Sequence, residues 1–454
     1  MTNAAAASAA ALAVLAAGAA AGGPEVDVSR LPGPQSETAV AVEPGSSRIL
    51  LAGSNSLGEG TMRAYSSADG GATWQSSTVF PAPAALADTC AADPGVAIDG
   101  TGRQYYSFVR STPCQTGAPR LYVATRPDAA AAWTQPVLVA PLAGARFDDK
   151  PAITVDSSPA SRHRNRAYVA WTRVARNGAF AIRVSSSDDG GKSWSTPRKA
   201  NREDGDELSY VSLATARRGT LYVAWHDVSA FHVNLVRSTD GGVHFGPERE
   251  AAAFATVTIP ICHGGIVIPA LRLTCAQPDP TIAVDTSGGR FSGRVYVTYA
   301  LTEFQGDKGI AVSVFDNALR PIAGYPVRRR PLLVAPAPAT DAADRFWPAS
   351  AVDASTGTLW VCFYDTEGDP RRKRARFSCT YSRTGGRSWV RPFAAASVAS
   401  DETGPGADPR EYGDYEAVAA ADGIAHPVWT DGRDLAGEGE EIYTSALTSG
   451  GARR

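Results

Sequence analysis

Short runs in which apolar and polar residues alternate fill most of the chain, and they recur in a fixed order. A segment of the form acid, two residues, Ile or Val, Ala, Val, Asp returns as ETAVAVE ending at Glu43, DPGVAID at Asp99, KPAITVD at Asp156, LSYVSLA at Ala214, DPTIAVD at Asp285, WPASAVD at Asp353 and DYEAVAA at Ala420. Each copy leads into a second run rich in β-branched and aromatic residues, such as RAYVAWTR or TLWVCFYD, and then a third, such as VNLVRS or RFSCTYS. Alternation with period two marks each run as a strand with one buried face. Most copies close with a turn and a fourth, proline-rich run. The pattern predicts an all-β chain, a β-propeller of four-stranded antiparallel blades, seven in number, with six as the alternative. The last copy stops one strand short, and Val26 to Arg30, ahead of the first copy, are the segment available to complete it and remove the open edge.

Length agrees with this: 454 residues exceed what one ordinary core organises, but a repeat fold buries a layer per unit. Residues 26–447 are read as a single propeller domain and 448–454 as a C-terminal tail. Before them, an apolar stretch from Ala4 to Ala21 ends in small residues that suit signal-peptidase cleavage near Ala20 or Ala21, so residues 1–21 read as a signal peptide and the protein as secreted. The stretch has no Lys or Arg in its n-region, which leaves a helical anchor or a misassigned start as alternatives. With 44 Lys plus Arg against 46 Asp plus Glu, the charge gives no reason to expect nucleic acid as a partner, nor a membrane surface once the signal is removed.

Six cysteines in an exported chain, with no CxxC and no paired histidines, predict disulfides rather than a metal centre. Strand assignment pairs them locally. Cys90 and Cys114 fall on one face of the second blade, Cys262 and Cys275 bracket an apolar insertion, and Cys362 and Cys379 lie on adjacent strands of the sixth blade.

The turn after the third strand reads SADGGATW (Ser67 to Trp74), SDDGGKSW (Ser187 to Trp194), STDGGVHF (Ser238 to Phe245) and SRTGGRSW (Ser382 to Trp389). These turns resemble the pattern SxDGGxTW of the Asp-box (BNR repeat) family of sialidase-like β-propellers, with Thr384 in place of the acid in the fourth copy. Their chemistry is local: Asp69, Asp189 and Asp240 accept turn N–H groups, the glycines supply positive φ, and the aromatic residue wedges between blades. The resemblance implies that these turns lie on the face opposite the ligand mouth.

Segments leading into inner strands, and loops after second strands, reach the mouth of a propeller. They carry Glu37, Asp93, Asp148 to Lys150, Asp279, Arg345 with Trp347, and Glu411 to Tyr415, and opposite them Asn55, Arg110, Arg173, His226 with Asp227, Glu303, Asp365, and Asp431 with Arg433. Two readings are open. In one, the acids in a common register bond the N–H groups of neighbouring blades. In the other, Arg345, Arg433, Asp414, His226, Asp227, Asp365 and Asp431 line an axial pocket for a glycan or another carboxylate-bearing extracellular ligand. The resemblance to sialidases implies a sharper alternative, an exo-glycosidase of the retaining sialidase type or another polysaccharide-active enzyme. Arg345 and Arg433 would then grip a carboxylate, Asp149 (or Asp148) would be the acid/base, and Tyr412 with Glu411 the nucleophile pair. A structural Ca²⁺ would suit such a carboxylate-rich mouth, but no loop has an EF-hand pattern, and no cofactor is expected.

Overall fold

The computed structural model describes residues 21–80, 89–114, 116–254, 265–302, 308–325, 332–336 and 343–450. Seven four-stranded antiparallel sheets follow one another, each running from an inner strand outward, and no helix occurs among the described residues. The inner strands are Ala39–Val42, Cys90–Ile98, Ala145–Val155, Leu208–Thr215, Thr281–Val284, Arg345–Val352 and Ala417–Ala421. The chain is thus a seven-bladed β-propeller, as the seven copies predict, and the six-bladed alternative is excluded.

The ring closes through the N-terminal segment. Ala21–Asp27 pairs antiparallel with Gly439–Thr448, the third strand of blade seven, with Val26 opposite Thr444. The closing strand starts at Ala21 rather than Val26. Apart from Ala21, the expected signal peptide lies outside the described residues, as do residues 451–454 of the expected tail; Thr448, its first residue, still belongs to the last strand.

Large aromatic side chains on the second strands hold adjacent blades together. Trp171, Trp225, Trp360 and Trp429 are fully buried between sheets, each contributing roughly 1.5–3 kcal/mol by removal from water. In all four turns a glycine N–H bonds the serine Oγ and a later N–H bonds the acid or Thr384; the indole bond to a glycine carbonyl is made by Trp74 and Trp389. In the first, Gly71 N–H donates to Ser67 Oγ (2.9 Å), Thr73 N–H to Asp69 Oδ1 (2.9 Å) and Trp74 Nε1 to the Gly71 carbonyl (3.0 Å). Thr384 does the work of the missing acid, its Oγ1 accepting Ser388 N–H at 2.9 Å.

Cys90–Cys114 and Cys362–Cys379 form disulfides, the second between residues directly opposite in register. Cys262, the expected partner of Cys275, lies outside the described residues. The insertion carrying Cys275 folds into a hairpin, Ile266–Ile268 with Leu271–Ala276, whose Leu271 shares a core with Phe346, Trp347 and Tyr412 of blades six and seven.

Candidate functional site

At one recurring position at or within the start of five inner strands, the backbone departs from regular β geometry. Glu37 (φ 54°), Asp93 (63°), Lys150 (45°), Tyr210 (53°) and Trp347 (45°) are all left-handed, a conformation that costs an L-residue about 1–2 kcal/mol. In blades two, three, four and six the ladder register shifts there. A bulge of this kind re-aims the side chain it carries. It also corrects the fourth repeat: Ala216 N–H bonds the Thr220 carbonyl as Asp99 N–H bonds that of Arg103, so Tyr210, not Leu208, stands at the position of Asp93 and Lys150.

All seven inner strands border an axial cavity of about 270 Å³, walled by small residues such as Ala39, Gly95 and Ala152. Lys150, Tyr210, Asp279, Trp347, Asp414 and Tyr415 ring its charged end. The Lys150 ammonium bonds the Asp414 carboxylate, which also accepts Arg410 NH1 (3.1 Å) and the Tyr210 hydroxyl (3.3 Å). Burial opposes ionisation of Asp414, but Lys150 and Arg410 override it and hold its carboxyl below the usual range. Glu37 goes the other way. Burial, then the charges of Asp414 and Asp93, push it well up.

From Glu37 the network runs outward. Asn55 Nδ2 donates to Glu37 Oε2 (2.8 Å), Asn55 Oδ1 accepts Asp93 N–H (3.1 Å), and Asp93 Oδ2 accepts Lys150 N–H from the next blade (3.0 Å). Asp93 thus bonds a neighbouring blade's N–H, as the blander reading expects. Burial, then the charge of Asp93, pushes Asp149 up to about 7.

Asp279 differs from the other acids. Both its oxygens are buried without a hydrogen bond, and His226 Nδ1 stands 3.4 Å from Oδ1. Burial pushes Asp279 well up and His226 down to about 4, so both tend to neutrality. Asp414 Oδ1 and the Tyr415 hydroxyl are likewise buried and unbonded.

Of the residues expected at the mouth from sequence, Glu37, Asn55, Asp93, Asp149, Lys150, His226, Asp279, Trp347, Asp414 and Tyr415 belong to this cluster, and Glu303 lies outside the described residues. The others do not come together with it. Tyr412 is fully buried among Phe346, Trp347 and Tyr364; its hydroxyl donates to the Ser400 carbonyl (2.8 Å) and accepts Ala375 N–H (3.3 Å), so it has neither the exposure nor the free oxygen of a nucleophile. Glu411 is taken up by the inserted hairpin, accepting Arg272 N–H (2.6 Å) and Leu273 N–H (3.3 Å). Arg345 is bound to Asp365 (2.8 Å) and Glu367 (3.0 Å), and Arg433 to Asp431 (2.6 Å) and Glu25. Neither guanidinium is therefore free to grip a ligand carboxylate. Asp227 closes its own turn through Ser229 and Ala230, and Asp148 forks onto Arg173 (2.7 and 2.9 Å). Tyr210 and Arg410 are the site residues the sequence did not single out. The signal for Tyr210 lay in the register of its repeat.

No group of three or more His, Cys, Asp and Glu among the described residues is arranged to hold a metal ion.

No protein-family model matches the chain, and no curated protein sequence matches it. Solved structures do. A protein of unknown function from Dyadobacter fermentans shares 12% identity over 93% of this chain and 97% of its own, with a TM-score of 0.49. A Hadza microbial sialidase shares 13% over 88% of this chain and 73% of its own (TM-score 0.49), and an α-L-arabinanase from Penicillium chrysogenum 13% over 94% and 99% (TM-score 0.45). At such identities and scores the likeness carries no inference about chemistry.

Proposed function

We propose that the axial mouth is a binding site for a hydroxyl-rich extracellular ligand, a neutral glycan unit, in a propeller of the Asp-box kind. The observation that carries this is the set of buried, unbonded polar atoms around the cavity: both oxygens of Asp279, Asp414 Oδ1 and the Tyr415 hydroxyl. Buried polar groups ordinarily have partners, and a sugar's hydroxyls donate and accept in the geometry that these atoms leave open. The tied arginines argue against a carboxylate as the recognised group. The recurrent Ser-x-Asp/Thr-Gly-Gly turns support the family placement, and two disulfides support export. Titration calorimetry with neutral oligosaccharides should give saturable binding that Asp279→Asn weakens about tenfold or more. Binding only of sialylated or uronate-bearing glycans would refute the neutral-glycan assignment.

A second reading rests on Asp149. A carboxyl held near 7 beside another carboxyl is suited to general acid chemistry on a glycosidic oxygen. Hydrolysis of a panel of aryl glycosides, with activity falling above about pH 7 and lost in Asp149→Asn, would support a hydrolase. Turnover unchanged in that variant would remove it.

A further inference from the structure

The face opposite the mouth carries a second hollow, between blades five and six, of about 550 Å³. Four arginines line it, Arg290, Arg294, Arg383 and Arg387, against a single carboxylate, Asp285. Asp285 Oδ1 is taken by the N–H and hydroxyl of Ser287 (2.9 and 2.6 Å). None of the four guanidinium groups forms an ion pair among the described residues, unlike Arg166 or Arg320 elsewhere on the chain.

The repeats supply an internal comparison. Between blades three and four, Arg166 donates NH1 to the Gly241 carbonyl of the next blade's turn (3.1 Å), and between blades five and six Arg294 makes the equivalent bond to Gly385 (2.8 Å). The surroundings then diverge. Arg166 is neutralised by a two-pronged bond to Asp188 (2.6 Å each), and the adjoining turn carries Asp240. At the second seam, Arg294 bonds only neutral acceptors, Gly385 and the Tyr325 hydroxyl (2.7 Å). The corresponding acid of blade five, Asp316, is occupied by Arg320 (2.7 Å). Asp240's equivalent is Thr384, flanked by Arg383 and Arg387. At this seam one carboxylate is thus replaced by Thr384 and the other is taken up by Arg320, while arginines flank a turn that still closes in the same way.

These arginines are also held in place. Arg294 stacks over Phe291 (4.4 Å) and Tyr325 (5.1 Å), Arg387 over Tyr325 (5.6 Å), and Arg383 bonds Ser449 and Gly450 (3.2 and 2.6 Å). Uncompensated, pre-positioned guanidinium groups converging on one hollow are the chemistry of oxyanion recognition.

We propose that this hollow binds a multiply charged oxyanion, a phosphate or sulfate group, independently of the axial mouth. The test is titration calorimetry of the full chain at low ionic strength with inorganic phosphate, inorganic sulfate and a sulfated glycosaminoglycan hexasaccharide. Saturable binding of the inorganic ions marks a site for the free anion, and binding of the hexasaccharide alone marks one for a glycan-borne sulfate. In either case Thr384→Asp, which restores the acid of the other turns, should weaken binding about tenfold or more, as should the double change Arg383→Ala with Arg387→Ala. Thr384→Ser and the mouth variant Asp279→Asn should leave it unchanged. Absence of saturable binding by the wild type overturns the proposal. So does equal affinity of the wild type and a Thr384→Asp protein that melts at the wild-type temperature.

Discussion

Glu416 offers a test of the electrostatics of the ring seam that needs no ligand. It is buried between blades one, six and seven, where Oε2 meets the Thr38 hydroxyl (2.6 Å) and Oε1 the Tyr364 hydroxyl (2.6 Å) and Thr430 N–H (3.2 Å). Burial pushes its carboxyl up to about 8. The protonated form is also well accommodated, because both hydroxyls have carbonyls to donate to instead, Thr38 to Val428 (2.7 Å) and Tyr364 to Thr430 (2.8 Å). A carboxyl whose folded pKa exceeds its unfolded value contributes stability that is intact below the unfolded pKa, near 4.5, and is lost as pH rises through the folded one. Linkage gives a slope of about 1.4 kcal/mol per pH unit within that window, or on the order of 3–4 kcal/mol between about pH 5 and pH 8. Glu416→Gln is isosteric, cannot titrate, and keeps both a donor and an acceptor for the same partners. Urea unfolding of the two proteins across that range should therefore give curves that diverge as pH rises, the wild type losing ground to the variant. Asp149, Glu402 and Glu441, each pushed up to about 7, titrate in both proteins and cancel in the difference. Two parallel curves would show that Glu416 is ionised in the folded state and that the account of this seam is wrong.

Lys150→Met should destabilise the fold by roughly 3–5 kcal/mol in urea unfolding, by leaving Asp414 buried beside an apolar side chain, and adding Asp414→Asn should recover most of the loss. Tyr412→Phe should lower stability by about 1–2 kcal/mol, through loss of the bonds to Ser400 and Ala375, and leave any ligand binding at the mouth unchanged; a calorimetric titration that lost binding in this variant would return Tyr412 to the site. Replacing Cys362 and Cys379 together by Ala should cost about 2–4 kcal/mol, read as an earlier urea midpoint relative to the wild type under non-reducing conditions.

The fold was legible because its signals are local and repeated. Alternation marks each strand, the Gly-Gly turns punctuate them, and seven copies in register allow little besides a closed ring. The closing strand was legible for the complementary reason: the last repeat lacked one strand, and only one segment remained to supply it. What failed was the step from face to neighbour. Arg345, Arg433, Asp365 and Asp431 do lie on segments that run toward the mouth, yet each arginine is consumed by a carboxylate of its own blade: Asp365 stands directly opposite Arg345 in register, and Asp431 lies two residues before Arg433 on one strand. A sequence read for convergence on an axis counts charges and misses that the nearest opposite charge takes them first.

Tyr412 and Glu411 failed for another reason. Their partners come from distant segments, Ser400 and Ala375 in one case and the inserted hairpin in the other, and no periodicity announces an insertion that crosses from blade four to blade seven. Tyr210 shows the reverse. Its blade matches the repeat two residues later than the apolar pattern suggests, because Val211 and Leu213 imitate the two apolar positions, while the register shift between Ser209 and Ser212 falls around Tyr210 as that between Ala92 and Gly95 falls around Asp93. A one-residue slip moves a strand's side chains to the other face, whereas a two-residue slip preserves alternation and is invisible to it. The hydrogen bond from Ala216 to Thr220 reveals that shift, and with it the tyrosine that bonds Asp414 at the centre of the mouth.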